Sequence, residues 1–338
     1  MKKVRWNVFI GLFISLILVI YILSRVDYEE VANAFSGASY IWTIPTMLGG
    51  LFAMWIRAIR WRWLLKPVRL LKIHTLFSSV MIGFMANNLL PARIGELVRA
   101  ISLSKKHQLS KSSVFATVVA ERVFDSIGLL IVFWLSFFFI DYPEELKKAG
   151  FFIFIFICLI MVFLYLLKMK TDLGVRLICK PLARFSVKLS TKVESILRKF
   201  AIGLSVLTTP SSIIIILLIS IFLWIFTGLT GYLIFIAFGL YPEIWAAFIL
   251  LFVSVLAVSL PSSPGYVGTF HAACIIAFNL ISSLGMFNQE ISKSVALSYS
   301  VVLWSCQFFP VTIIGLYYLK KEHLRFKDIK KKQVLTGQ

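Results

Sequence analysis

The chain has 338 residues, 59% of them hydrophobic and 15% charged, with a mean hydropathy of +0.91. Soluble domains are about half apolar at most, so this composition excludes an ordinary soluble protein and indicates an all-α polytopic membrane protein. The net charge of +20 would suggest nucleic acid in a soluble chain; here lysines and arginines gathered against anionic inner-leaflet headgroups explain it, and no nucleic-acid role is expected.

The N-terminus has the charge order of a signal peptide. Its apolar run is long and lacks a small-x-small cleavage site, so an uncleaved first span over Trp6 to Ser24 is expected. An acidic loop with Asp27, Glu29 and Glu30 follows. A second span from Tyr40 to about Ala58 passes into Arg57, Arg60, Arg62, Lys66, Arg69 and Lys72, interleaved with Trp55, Trp61 and Trp63. Basic residues mixed with tryptophan mark a cytoplasmic interface. A plain interfacial anchor is the first reading of Arg57 and Arg60; a headgroup contact is the alternative.

The stretch Phe84 to Ala100 breaks the apolar pattern with Asn87, Asn88, Pro91, Arg93, Gly95, Glu96 and Arg99. Proline removes a donor and pushes its predecessor out of helical geometry. A short helix over Leu76 to Leu90 and another over Ile94 to Ser102, with basic flanks, make a re-entrant hairpin opening to the cytoplasm. Irregular polar backbone at membrane depth survives only where it is buried in protein or lines a cavity, so Asn87 and Asn88 count among the candidate substrate contacts.

Ser112 to Ile140 is a long helix carrying Glu121, Arg122 and Asp125. At about 1.5 Å per residue, Glu121 lies roughly 15 Å beyond Lys111. Phe151 to Leu167 spans back. Lys168 to Lys199 then holds nine basic and two acidic residues, with Arg176, Lys180, Arg184, Lys188 and Lys192 at intervals of four. That spacing predicts one amphipathic helix on the inner leaflet, opened or kinked by Pro181, within a cytoplasmic segment over 168–210.

Ser212 to Phe238 is a further span. Trp245 to Leu260 and Gly265 to Ile281 flank a second break, Pro261, Ser262, Ser263, Pro264, Gly265, with Gly268 and Thr269 beyond it. Ser294 to Leu319 returns to a basic tail at 321–338. The loop charges place both termini in the cytoplasm and 1–320 in one membrane unit. The architecture expected is about six full spans plus two broken or re-entrant hairpins, facing each other in an inverted-repeat-like arrangement with a midplane site.

Ionisable residues at this depth point into a bundle or a wet cavity. Arg93, Glu96 and Arg99 share one helix face, and Glu121, Arg122 and Asp125 another. One reading has them pair as buried salt bridges, for instance Arg93 with Glu121. The other has the arginines hold an anionic headgroup while the carboxylates balance them or exchange protons. In the second break, Ser262, Ser263, Gly265 and Thr269 present amides and hydroxyls suited to phosphate; a tight turn for close packing is the alternative. The dispersed cysteines and histidines suggest no metal site, and His271 is expected to be simply hydrogen-bonded. No cofactor is expected.

Taken together, Asn88-x-x-Pro91-x-Arg93-x-Gly95-Glu96-x-x-Arg99, Glu121-Arg122-x-x-Asp125 and Pro261-x-x-Pro264-Gly265-x-x-Gly268-Thr269, with Arg57-x-x-Arg60-Trp61 upstream, resemble the lysylphosphatidylglycerol synthase transmembrane family of flippase-like proteins. The resemblance runs from about residue 5 to 320. It implies a lipid flippase moving an anionic or phosphate-bearing lipid between leaflets of the plasma membrane. The chain stops soon after its last helix, so lysyl transfer is not expected and the protein is not read as an enzyme. Two other readings compete: an integral-membrane headgroup transferase using Glu121 or Asp125 as base, and a non-transporting partner of a synthase encoded elsewhere. Homo-oligomer formation is left open by the sequence. The absence of a P-loop sets aside direct ATP drive.

Overall fold

The computed structural model describes residues 13, 15–90, 94–259, 263–287 and 290–322, and every regular element among them is helical. The expected first span is represented by helix over 15–23; its remainder lies outside the described residues. Asp27 then accepts hydrogen bonds from the Glu29 and Glu30 amides, starting α1, Tyr28–Gly37. A single 3₁₀ turn, Tyr40–Trp42, leads into α2, Thr43–Leu65. The two helices meet at a bend of 71°.

The first hairpin is α3, Ile73–Leu89, and α4, Gly95–His107. Its sharpness depends on Gly95: a Cβ there would collide with the Gly83 carbonyl oxygen and lie 2.5 Å from Asn87 Oδ1. α5, Lys111–Ser136, begins where the Ser110 hydroxyl accepts from the Ser113 amide. α6, Glu144–Met169, leads to α7, Thr171–Ala183, and α8, Val187–Gly203. α9, Pro210–Ala237, precedes the second hairpin, α10, Trp245–Ser259, and α11, Thr269–Ser283, between which lies a 3₁₀ turn, Pro264–Tyr266. α12, Lys293–Lys321, closes the described chain.

By length and composition, Gly150–Met169, Pro210–Ala237, Pro264–Ser283 and Lys293–Lys321 are long and apolar enough to cross a membrane, and the bent α1–α2 pair makes a fifth. α5 has the length, but every stretch of 18 residues within it includes Glu121, Arg122 and Asp125. The chain is therefore an all-α, multi-pass membrane protein.

The helix order occurs twice: α2, hairpin α3–α4, α5; then α9, hairpin α10–α11, α12. Packing follows the same correspondence. α3 lies on α12 as α10 lies on α5; α5 lies on α9 as α12 lies on α2; and α2 packs directly on α9. Each hairpin is thus clasped by the long helix of the other set. The 3₁₀ turn of the second break packs on α3, with the Asn88 carbonyl oxygen 3.4 Å from where a Gly265 Cβ would stand. The described edges of the two breaks therefore touch, at Asn88 and Gly265.

Apolar burial divides into two main clusters. One gathers Phe133, Phe235, Phe252, Phe278 and Tyr299, with Phe133 stacked on Phe252 at 4.0 Å. The other gathers Trp61, Leu64, Leu76, Leu103, Phe124 and Leu204.

Two expectations need correction. α2 continues to Leu65, so Arg57 and Arg60 are buried helix residues and not a surface anchor. The basic stripe does not run along one helix: α7 and α8 pack on each other across a turn at 184–186, while Pro181 stays inside α7. A four-residue recurrence continues through a turn unnoticed, because sequence spacing carries no direction in space.

Candidate functional site

The interior where α2, α4 and α5 converge carries a compact network of charges. From α2, Arg60 reaches Asp125 Oδ1 with Nη1 at 2.6 Å and Glu121 Oε1 with Nη2 at 3.1 Å. Its Nη1 also donates to Ser220 Oγ of α9 at 2.9 Å. One turn earlier, Arg57 Nη1 lies 3.2 Å from Asp125 Oδ2. From α4, Arg99 Nη2 donates to Glu121 Oε2 at 2.8 Å. Both Glu121 oxygens and both Asp125 oxygens are thereby taken.

The spacing explains the convergence. Arg57 and Arg60 are three apart on one face of α2, and Glu121 and Asp125 are one turn apart on α5, so two arginines and two carboxylates oppose each other. Aromatic rings wall the arginines. The Arg99 guanidinium lies 4.4 Å from the Trp61 ring centroid, and Arg57 sits between Phe84 at 5.3 Å and Trp224 at 5.4 Å. Trp61 and Trp224 are themselves anchored to α5, through Thr117 Oγ1 at 3.0 Å and the Asp125 carbonyl at 2.8 Å. Charges this deep are tolerable only when paired and hydrogen-bonded.

One edge of the network is open. Arg122 Nε faces Glu96 Oε1 at 3.3 Å, and the side chains are 36% and 27% exposed, whereas Arg60 and Glu121 are fully buried. Arg122 also reaches Asp125 at 3.5 Å and Glu121 at 3.7 Å.

Of the residues singled out from sequence, Glu96, Arg99, Glu121, Arg122 and Asp125 come together here. Arg93 and Ser262 lie outside the described residues. Glu121 is held by Arg60 and Arg99. Asn87 and Asn88 serve the hairpin: Asn87 Oδ1 accepts from the Gly95 amide at 2.8 Å, and Asn88 Nδ2 donates to Thr312 Oγ1 at 2.9 Å.

The second break is occupied with itself. Ser263 Oγ donates to the Val267 carbonyl at 2.9 Å, and Thr269 Oγ1 to that of Tyr266 at 3.0 Å. The Ser263 amide donates to Ser15 Oγ, and the Gly265 carbonyl accepts from Trp304 Nε1 at 2.7 Å. Gly265 and Gly268 hold positive φ, of 69° and 85°. These contacts match the tight-turn reading. His271 Nδ1 is 2.9 Å from Ser300 Oγ, a hydrogen-bonded core histidine. Among the described residues, no three His, Cys, Asp or Glu side chains group to hold a metal ion.

Sequence reasoning gave Arg57 and Arg60 a headgroup contact only as the alternative to an interfacial anchor, and it missed Ser220 and Trp224. The Arg57-x-x-Arg60 spacing was the available signal, since a basic pair on one face of an apolar helix needs carboxylates elsewhere in the bundle.

The family model described as the lysylphosphatidylglycerol synthase TM region matches residues 8–315. A UPF0104 membrane protein of Methanocaldococcus jannaschii is 27% identical over 67% of this chain and 93% of the relative. Another, from Methanothermobacter thermautotrophicus, is 23% identical over 85% of this chain and 87% of its own. A second M. jannaschii protein of that description is 22% identical over 90% and 91%. No solved structure matches the chain.

Proposed function

The chain belongs to the lysylphosphatidylglycerol synthase TM region family, and from that premise we propose that it moves an anionic, phosphate-bearing lipid between membrane leaflets. The supporting observation is a cluster of three buried arginines inside a membrane bundle, opening at the partly exposed Arg122, which faces Glu96 in the first turn of α4, in a fold where the described edges of the two breaks touch. Guanidinium groups match phosphate geometry, and a low-dielectric setting strengthens the attraction. Broken helices meeting at depth are the usual surroundings of a transported headgroup.

In this reading the protein carries lipid and performs no bond chemistry. It resides in the plasma membrane with both termini cytoplasmic, as the basic 168–210 segment and basic tail favour. The test is reconstitution of the full chain in liposomes with fluorescent phosphatidylglycerol in one leaflet. Exchange is expected with wild type and a loss of about tenfold or more with Arg122→Gln, the size of losing one charge-assisted phosphate contact. Absence of exchange by folded wild-type protein refutes the proposal.

A further inference from the structure

Four guanidinium groups, of Arg57, Arg60, Arg99 and Arg122, face three carboxylates, of Glu96, Glu121 and Asp125, leaving one positive charge among the described residues of the network. That surplus is not spread evenly. The inner pairs close at 2.6 to 3.2 Å, whereas every contact of Arg122 is 3.3 Å or longer. Arg122 Nε is buried and has no partner in hydrogen-bond geometry, although Glu96 lies beside it. The Nε atoms of Arg57, Arg60 and Arg99 lack such a partner as well, but those side chains are buried; Arg122, with the longest contacts and a partly exposed side chain, is the arginine that a ligand can reach.

The geometry points to Glu96 as a resident stand-in for the substrate: its carboxylate occupies on Arg122 the place that a singly charged phosphodiester takes when it binds. This rests on the translocation reading and goes beyond it, because it assigns the headgroup a charge and names the residue that releases it. A phosphodiester offers two oxygens to the guanidinium fork, against one long contact from Glu96. Displaced, Glu96 stays in the first turn of α4, where the helix dipole favours a carboxylate and water reaches it. Exchanging the Glu96 carboxylate for a phosphodiester replaces one monoanion with another, so the network keeps its single surplus positive charge in a site that solvates charge poorly. On release, Glu96 returns and spares Arg122 from standing bare.

The experiment measures binding of dihexanoyl phosphatidylglycerol, and separately of inorganic phosphate, to the full chain in phosphatidylcholine nanodiscs. Glu96→Gln removes the competing charge and is expected to tighten phosphatidylglycerol binding about tenfold. Glu96→Asp, which withdraws the carboxylate by one methylene, gives a smaller gain in the same direction and serves if the glutamine variant does not fold. Arg122→Gln abolishes the gain. Unchanged or weaker binding in both Glu96 variants overturns the exchange, and leaves the translocation reading intact if wild type still moves lipid in liposomes. Equal tightening for inorganic phosphate overturns the assignment to a lipid headgroup. Wild-type protein that neither binds nor moves phosphatidylglycerol removes both readings.

Discussion

Arg60 on α2 and Asp125 on α5 meet at 2.6 Å, with the Arg60 side chain wholly buried, across 65 residues of sequence. This contact joins the helix that enters the first hairpin to the helix that leaves it. Removing one partner strands the other charge in low dielectric, a larger penalty than the pair's net worth.

Asp125→Asn is accordingly expected to destabilise the protein by about 3 to 5 kcal/mol, measured by unfolding in mixed micelles. The double change Arg60→Met with Asp125→Asn recovers part of that loss relative to the sum of the two single changes, giving a coupling energy above about 1 kcal/mol. Arg57→Met couples less strongly to Asp125, because that contact is 3.2 Å long. Additive single changes would refute the Arg60–Asp125 linkage.

At the second break, Gly265 has φ of 69° and a Cβ there would sit 2.9 Å from the Phe308 ring. Gly265→Ala is expected to cost about 1 to 2 kcal/mol from the left-handed conformation alone. Gly231, inside α9, has nothing within 4 Å of its Cβ position. Gly231→Ala is neutral or stabilises by up to about 1 kcal/mol, as helix propensity dictates. Thermal midpoints that move alike for the two variants would count against a required turn at Gly265.

Orientation is open to a labelling measurement. In a background with Cys158, Cys179, Cys274 and Cys306 replaced, Phe185→Cys, at the exposed α7–α8 turn, is expected to react with an impermeant maleimide only after the membrane is opened. Glu290→Cys, in the lysine-poor loop before α12, reacts in intact cells. Labelling of both positions from the same side contradicts the arrangement read from loop charge.

Much of this molecule was legible in the chain. Pro91 between Asn88 and Gly95 announced one break, and Pro261, Pro264 and Gly265 the other, since local backbone chemistry acts over a few residues. Glu121 and Asp125 stood out because apolar surroundings make a carboxylate conspicuous. Arg57 and Arg60 did not, being masked by the basic residues that follow them. The α7–α8 turn escaped because its periodicity carries on through the bend.

By itself the sequence determined a multi-pass helical protein with two interruptions and a set of charges at depth, all consequences of local propensity and of the cost of polar groups in hydrocarbon. Only the tertiary structure decided which charge answers which. Pairing Glu121 with Arg60 and Arg99, and Asp125 with Arg57 and Arg60, brings together three helices, and spacing along a chain does not encode distance between helices. The same packing turned Asn87 and Asn88 from candidate ligands into hairpin fastenings, and left Arg122 with Glu96 as the most exposed pair of the network.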